Sequence, residues 1–377
     1  MIKLYRILDW WLNRKRRSTP RRAPARGVLL ISSGGLGDTI LFSVMIGKFQ
    51  ELARPGEPVH LIIRSECRSV QFLFPPEVQV KPVNYRRFLR NPFYRYRVSM
   101  NLRDQGYRLA VSTDHLRLPT IDDALVFACQ AEQTFAMEPR SWPKHDRHLA
   151  QNSLRYSRLV KVKPEMAHRL IRWLELINGL TGKEDSPPPV RFDSKRLPPP
   201  ANVSRPTVVL HPFSAIRERQ FSVDIWKKLV ASLPSDYAVV LSAAPGDLDR
   251  NEEFRELLSL SGLSLDTTSL EEKASLLRAA SLVVSVDTSL MHLAVGVGAP
   301  TLCLASAAHV VDSVPYDPRI TPDNVTFLYF DMPCRGCLGN CILPFEDGRY
   351  PCVARLDEDR IIAEVRSLIG ERGGGNR

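Results

Sequence analysis

No stretch of eighteen or more uncharged apolar residues occurs in this 377-residue chain, so no segment has the length to cross a bilayer as a helix. The pattern of a secretory leader is missing too. The apolar residues of the first segment are broken by Lys3, Arg6 and Asp9, and no small-residue cleavage site follows. Cysteine is scarce over most of the chain. Cys67, Cys129 and Cys303 stand apart in apolar contexts, as packed thiols do. With no leader, the expected compartment is reducing and cytoplasmic, so the remaining four cysteines are not read first as disulfides. Acid is scarce where base is abundant. Residues 1–26 hold Lys3, Arg6, Arg14, Lys15, Arg16, Arg17, Arg21, Arg22 and Arg26 against the single acid Asp9, and so carry +8 of the formal +11. The body of the protein is therefore nearly neutral. No acid interrupts residues 81–103 either.

What is present begins with that basic arm. Leu4, Ile7, Leu8 and Trp11 fall at helical spacing beside Trp10 and Leu12. An apolar, Trp-rich stripe followed by a basic cluster suits an interfacial helix on an anionic membrane, and a disordered basic arm is the alternative. Beyond the arm, apolar strand candidates alternate with helical stretches. Strands are expected at 27–31, 59–63 and 109–112, with a helix over 39–52 whose Ile40, Leu41, Val44, Met45 and Phe49 share one side. The proline clusters between residues 185 and 206 read as a stiff linker, with a boundary near residue 200. The pattern then restarts: strands over 207–210, 238–241, 282–286 and 301–304, helices over 224–232, 270–280 and 289–295. The order predicts two α/β halves, 27–200 and 201–377, each with a doubly wound parallel sheet. Ligands in such sheets sit beyond the carboxyl ends of strands, and a cleft between two such halves is the natural place for a site.

Three stretches carry chemistry. "ISSGGLGDTIL", 31–41, has the strand–loop–helix context of a phosphate cradle, but its glycines do not give G-x-G-x-x-G and no Gly-Lys-Ser/Thr follows. An acid, Asp38, stands at the mouth of the helix instead, as a helix cap or as a reacting group. "LHPFSAIRERQFSVDIWKKL", 210–229, runs from a strand through His211 and Ser214 to Arg219. "SVDTSLMHLAVGVGAPTLCL", 285–304, runs from a buried strand into Asp287, Thr288 and Ser289 and then a helix bearing His292. Asp287 or Thr288 can cap that helix, and the N–H groups of its first turn can hold a phosphate. A serine-hydrolase triad is not expected, because three residues so close on one helix start cannot line up as a relay.

Together the three stretches resemble glycosyltransferase family 9, the bacterial heptosyltransferases of lipopolysaccharide assembly. "SSGGLGDTI" is similar to the family's first-loop motif, "VDTSLMHLA" followed by "GAPTLCL" to its donor motif, and the 210–229 stretch to its strand–His-Pro–basic–Trp segment. They occur in the family's order over residues 27 to about 305. The resemblance implies a GT-B fold with two Rossmann-like domains, acceptor on the N-terminal half and nucleotide sugar on the C-terminal half. It departs from the family at three points: Arg219 stands where lysine is usual, with one residue inserted before it; Phe221 stands where tryptophan is usual; and Ser289 replaces a glycine.

On this resemblance the expected activity is inverting transfer of heptose or a related sugar, from ADP-heptose or another nucleotide sugar, to a lipopolysaccharide-core or other saccharide acceptor. Asp38 is the expected general base, and His211, Ser214, Arg219, Asp287, Thr288, Ser289 and His292 are expected to bind donor. No cofactor is needed for transfer. Gly35, Arg64, Arg86 and Arg87 are expected to meet the acceptor. The last two belong to a basic, aromatic tract, Lys81, Arg86, Arg87, Arg90, Arg95, Arg97 and Arg103 among Tyr85, Phe88, Phe93, Tyr94 and Tyr96. That tract suits an anionic, lipid-linked saccharide, and a solvated loop is the alternative. The protein is then expected on the inner face of the bacterial inner membrane. One alternative keeps the fold and makes the acceptor a protein. Another makes the chain a nucleic-acid-binding protein, although no nucleic-acid partner is expected.

Finally, Cys334, Cys337, Cys341 and Cys352 crowd one segment, with Gly336 and Gly339 permitting tight turns between them. Four thiolates at such spacing suit a structural zinc or iron, against the alternative of reduced thiols gathered by chance. Some autotransporter-modifying members of the wider heptosyltransferase group carry a four-cysteine iron site, so the resemblance allows either metal.

The basic arm yields the first test. A chain lacking residues 1–26 should bind anionic vesicles much more weakly while its transfer to a soluble acceptor fragment stays nearly unchanged. Equal sedimentation of the truncated and full-length chains with vesicles would remove the interfacial helix.

Overall fold

The computed structural model describes residues 26–163 and 167–373, so the expected interfacial helix of the arm lies outside the described residues. The chain separates into two units between Pro187 and Pro188, inside the first proline cluster and ahead of the boundary expected near residue 200.

The first unit holds a six-stranded sheet of β1 (Val28–Ile31), β2 (Val59–Arg64), β3 (Val78–Val83), β4 (Leu109–Ser112), β5 (Gln133–Met137) and β6 (Arg158–Val160). Its order is β3-β2-β1-β4-β5-β6, with every neighbouring pair parallel. Val28 is in register with Val59 on one side and Leu109 on the other, which puts β1 at the centre. All four β1 side chains are fully buried, as a parallel strand covered on both faces requires. β3 was invisible to apolar patterning because it is an edge strand. It carries Lys81 and Pro82, which an interior strand would not accept.

The helix α1 (Leu36–Gln50) begins three residues earlier than the sequence suggests, directly after Gly35. It is buried on more than one side. Phe42 and Ile46 lie in the core with Ile40, Leu41, Met45 and Phe49, whereas Val44 is only half-buried. The reason is a later helix, here α4 (Arg169–Thr181), whose Trp173 meets the Phe42 ring edge-on at 5.1 Å. The Trp173 indole N–H donates to the Thr113 carbonyl at 2.9 Å, tying α4 to the chain just past β4. Between β3 and β4, α2 (Tyr85–Arg90) and α3 (Pro92–Asp104) form a helical hairpin in place of a solvated loop. Asn84 and Asn91 cap its two helices, each side chain accepting the backbone N–H three residues on.

The second unit repeats the plan. β7 (Thr207–His211), β8 (Ala238–Ser242), β9 (Leu263–Asp266), β10 (Leu282–Val286), β11 (Thr301–Leu304) and β12 (Val325–Leu328) make a parallel sheet of order β12-β11-β10-β7-β8-β9. Counted from the first strand of each unit, this is the same order as before. Both halves are therefore doubly wound, as expected from the alternation of strands and helices. Ser222 caps α5 (Val223–Ser232) and Ser269 caps α6 (Leu270–Ala279). Fully buried Trp226 on α5 packs in the core with Phe221, Phe213 and Phe254. Phe221, where the resembled family has tryptophan, is thus a packing residue in this chain.

One polar pair lies fully inside the first unit. Arg117 Nε contacts Asp123 Oδ1 at 3.0 Å with neither side chain exposed. Asp123 also accepts from the Tyr156 hydroxyl at 2.7 Å and the Asn152 amide at 2.8 Å. Asp123→Ala would strand a buried guanidinium, so it should cost about 3–5 kcal/mol of unfolding free energy in urea titration. A loss below about 1 kcal/mol would show that the pair does not hold the segment after β4.

Candidate functional site

In each sheet the two strands that start crossovers in opposite directions are neighbours: β1 with β4, and β7 with β10. The loops leaving their carboxyl ends diverge and leave room for a ligand. The residues that carry the motifs lie in these loops.

In the first unit the loop after β1 meets the loop after β4. The Ser33 backbone N–H donates to Asp114 Oδ2 at 2.6 Å, and the Ser33 hydroxyl donates to the same oxygen at 3.1 Å. Asp38 sits in the first turn of α1, where its Oδ2 accepts the Gly35 N–H at 2.8 Å. Its Oδ1 is ion-paired with Arg169 at the start of α4, and the carboxylate remains 30% exposed. Asp38 is therefore not the N-cap residue; Gly35 occupies that position. A Cβ on Gly34 would come 2.4 Å from Asp38 Cβ, so only glycine lets the loop pass over this carboxylate.

Two more carboxyls lie behind it. Burial, with the charge of nearby Asp38, raises the Asp114 carboxyl above its usual range. Asp122 is fully buried. Its Oδ2 accepts the Leu118 N–H at 2.6 Å, and its Oδ1 has no partner. Burial, reinforced by the charge of Asp114, pushes Asp122 up to about 8. Arg64, expected to meet the acceptor, ends β2 with its Nε buried and unpartnered and its Cζ 5.8 Å from the centre of the Tyr85 ring. Arg86 and Arg87 are exposed on α2. The basic tract itself divides: Arg95 and Arg103 are buried, Arg95 against the Phe88 ring at 4.2 Å, and these two serve packing and not a ligand.

In the second unit Arg219 Nη2 donates to the Asp287 carbonyl at 2.9 Å and pairs with Asp287 Oδ2. Ser306 donates to the same oxygen at 3.2 Å. Arg219 Nε and Asp287 Oδ1 are buried without partners. Thr288 occupies the N-cap position of α7 (Ser289–Gly296) but its side chain makes no capping bond, contrary to the expected cap. The first-turn amides of that helix, Ser289 among them, thus lack a side-chain acceptor from the cap residue. His292 lies one turn on, 6% exposed, with Nδ1 2.7 Å from the Tyr316 hydroxyl and the two rings stacked.

His211, at the end of β7, donates its Nδ1–H to the Ser242 carbonyl at 2.8 Å, which leaves Nε2 as the acceptor. Burial lowers its pKa, so the ring is held neutral. The Ser242 hydroxyl continues to Asp266 at 3.2 Å and Lys273 at 3.1 Å, and Lys273 closes on Asp266 at 2.5 Å. Ser214 is spent locally, its hydroxyl accepting the Ile216 N–H at 3.3 Å. Sequence reasoning missed Arg169, Tyr316 and the Lys273–Asp266 pair. Arg169 and Tyr316 lie far along the chain from Asp38 and His292 and in no motif, and Lys273 on α6 meets Asp266 at the end of β9, seven positions back, also outside any motif.

The four clustered cysteines are free thiols, and they line one small cavity with Ala307, Ala308, Met332 and Tyr350. The loop is docked by the Gly336 and Leu338 N–H groups onto the carbonyls of Ala307 and Ala308. Gly336 and Gly339 have φ of +79° and +83°, the turns their residue type suggested. Burial raises the Cys352 thiol. No three His, Cys, Asp or Glu side chains among the described residues are set as a metal-binding group. The convergence of four thiols on one otherwise apolar cavity still fits a thiophilic metal in the chemistry of its donors.

The family model for glycosyltransferase family 9 (heptosyltransferase) matches residues 120–327, a span that contains the second and third motif stretches. Among solved structures, a glycosyl transferase family 9 protein from Veillonella parvula DSM 2008 has a TM-score of 0.69 at 13% identity, covering 94% of this chain and 100% of its own. The E. coli heptosyltransferase WaaC with ADP has a TM-score of 0.65 at 18% identity, covering 90% and 99%. The iron-containing dodecameric heptosyltransferase TibC in complex with ADP-D-beta-D-heptose has a TM-score of 0.52 at 15% identity, covering 93% and 78%. At these identities the likeness establishes the GT-B fold class. Among curated protein sequences, none matches this chain.

The raised Asp122 carboxyl sets a pH test. The native state keeps a proton that the unfolded chain gives up above about pH 4. Protons bound to the native state exceed those on the unfolded one between about pH 4 and 8, so this group's contribution to stability falls as pH rises through that window. Asp122→Asn cannot ionise. Its melting temperature relative to the parent should therefore rise between pH 5 and pH 8, by about 2–4 °C for each 1 kcal/mol relieved. A difference that stays constant with pH would mean that Asp122 is ionised in the native protein.

Proposed function

The chain belongs to glycosyltransferase family 9, the heptosyltransferase family, and from that premise we propose that it is an inverting transferase acting from ADP-heptose, or a related nucleotide sugar, on a lipid-linked saccharide. The observation that carries this reading is the second unit's held cation. Asp287 grips Arg219 by Nη2 while its Nε stays unpartnered beside the uncapped start of α7. A diphosphate satisfies both, taking charge-assisted bonds from the guanidinium and N–H bonds from the helix start. The ADP of the WaaC structure and the ADP-heptose of the TibC structure support this donor class. His292, held by Tyr316, stands one turn further to meet the developing charge of the leaving group.

The first unit takes the acceptor. A sugar hydroxyl attacks the anomeric carbon from the face opposite the diphosphate, the carbon–oxygen bond to the diphosphate breaks, and Asp38 accepts the hydroxyl proton. Arg169 and the Gly35 N–H fix the orientation of that carboxylate. Arg64 is the cation available there to an anionic acceptor. Cys334, Cys337, Cys341 and Cys352 would hold one zinc or iron, which would staple the 332–352 segment and leave the chemistry to the residues above. That cavity favours a second reading, in which the acceptor is a protein, since autotransporter-modifying relatives carry four cysteines. In the first reading the enzyme works peripherally on the cytoplasmic face of the inner membrane.

Asp38→Asn keeps the shape and still accepts the Gly35 N–H, but takes no proton. It should bind ADP-heptose almost normally and lose about 10²–10⁴-fold in turnover. Arg219→Ala should instead weaken donor binding, read as a smaller rise in melting temperature on adding ADP-sugar. If Asp38→Asn retains most of its turnover, the carboxylate only braces the loop, and Asp114 or Asp122 is the next base to test.

Elemental analysis should find about one zinc or iron per chain, and Cys337→Ser should lose it together with thermal stability. Metal-free protein of full stability would leave four ordinary thiols.

A further inference from the structure

The α2–α3 hairpin presents a surface that neither the core nor the acceptor loops use. Its inward residues, Tyr85, Phe88, Arg95, Ser99 and Leu102, are buried. Its outward face carries two kinds of residue that bear on binding. Arg86, Arg87, Arg90 and Arg97 are exposed cations, and Phe93 and Tyr96 are exposed rings. Phe93 is 83% exposed in the first turn of α3, where burial would be expected of a phenylalanine with any partner in the fold. Arg87 and Arg97 flank Tyr94, at 4.8 and 5.7 Å from its ring centre, so the cations of the two helices are held close together. No acid lies anywhere from Lys81 to Arg103 to neutralise them.

The hairpin leaves β3 at its carboxyl end, and all strands of that sheet are parallel. It therefore stands at the same end of the unit as Ser33, Asp38 and Asp114. Arg64, at 5.8 Å from the ring of Tyr85, links the hairpin to those loops.

We propose that this face docks on an anionic lipid bilayer, with Phe93 and Tyr96 entering the headgroup boundary and the exposed arginines bound to lipid phosphates. The inference rests on the reading of a lipid-linked acceptor, and it gives that reading a geometry. The saccharide reaches the loops at the carboxyl ends of the strands while its lipid stays in the membrane under the hairpin. The chemistry is that of an interfacial element: exposed apolar rings beside cations whose long stems let the charge rise to the phosphate level. A single-stranded nucleic acid would also be drawn to arginines and rings. It stacks best on rings laid along a groove, whereas Phe93 projects from the first turn of a helix.

The test uses the full chain with Arg14, Lys15, Arg16 and Arg17 changed to Ser, so that the arm contributes little. Sedimentation is measured with phosphatidylglycerol–phosphatidylcholine vesicles. In this background Phe93→Ser should weaken partition by about tenfold or more, the worth of a buried aromatic ring. Arg90→Ser and Arg97→Ser should each weaken it about fivefold, one basic residue at an anionic surface. All three should melt like the parent, because the residues are exposed. Variants that sediment like the parent overturn the docking surface and leave the transfer reading standing. A parent that sediments through these residues but transfers sugar to no acceptor keeps the surface and removes the transfer reading. Loss of oligonucleotide binding in the variants, with vesicle binding intact, would reassign the face to nucleic acid.

Discussion

The site in each unit depends on one constraint of chain topology. Where two neighbouring parallel strands send their crossovers in opposite directions, no helix can cover the carboxyl ends of both. β1 beside β4 and β7 beside β10 are such pairs. The backbone there must turn in the open, and its N–H groups need acceptors. Ser33 finds Asp114, and Gly35 finds Asp38. In the second unit the start of α7 is left without a side-chain cap. On the proposed reading that difference divides the chemistry: the loop supplied with carboxylates would take the proton, and the one with a cation and a helix start lacking a side-chain cap would meet the leaving diphosphate.

Both loops are then braced by residues distant in sequence. Arg169 holds Asp38, and Asp287 holds Arg219. A surface ion pair would add little to stability. Here the value of each pair is orientation, because one atom is held while another stays available: Arg219 Nε in one unit, and a partly exposed carboxylate in the other. Behind Asp38, half-buried Asp114 and fully buried Asp122 are both raised above the usual carboxyl range, chiefly by burial.

The elements outside these loops divide between support and contact. Arg95 and Arg103 look in sequence like their exposed neighbours, yet they pack against Phe88 and donate to Gln130 respectively. The hairpin's other arginines, Arg86, Arg87, Arg90 and Arg97, face outward with Phe93 and Tyr96. Similarly, Cys67, Cys129 and Cys303 are buried singly, while the other four thiols converge where a glycine-bearing loop folds onto Ala307 and Ala308. In both cases identical residue types acquire different uses from the way the backbone turns beneath them.

The central strands were legible in sequence because a parallel strand covered on both faces must be apolar throughout. Leu109–Ser112, Leu282–Val286 and Thr301–Leu304 were located to the residue for that reason. The motif loops were legible because glycines, an Asp-Thr-Ser and a His-Pro at strand ends have few other uses. Edge strands were not. β3 with Lys81 and Pro82 and β9 with half-exposed Leu263 face water and need no apolar pattern. Composition and order along the chain determined two doubly wound halves, their motif-bearing loops and the crowding of four cysteines. Only the packed structure decided that Arg169 meets Asp38, that Tyr316 meets His292 and that burial raises the Asp122 carboxyl. Those facts depend on which distant segments share a buried volume, and burial and proximity are properties of the fold that no local stretch of residues encodes.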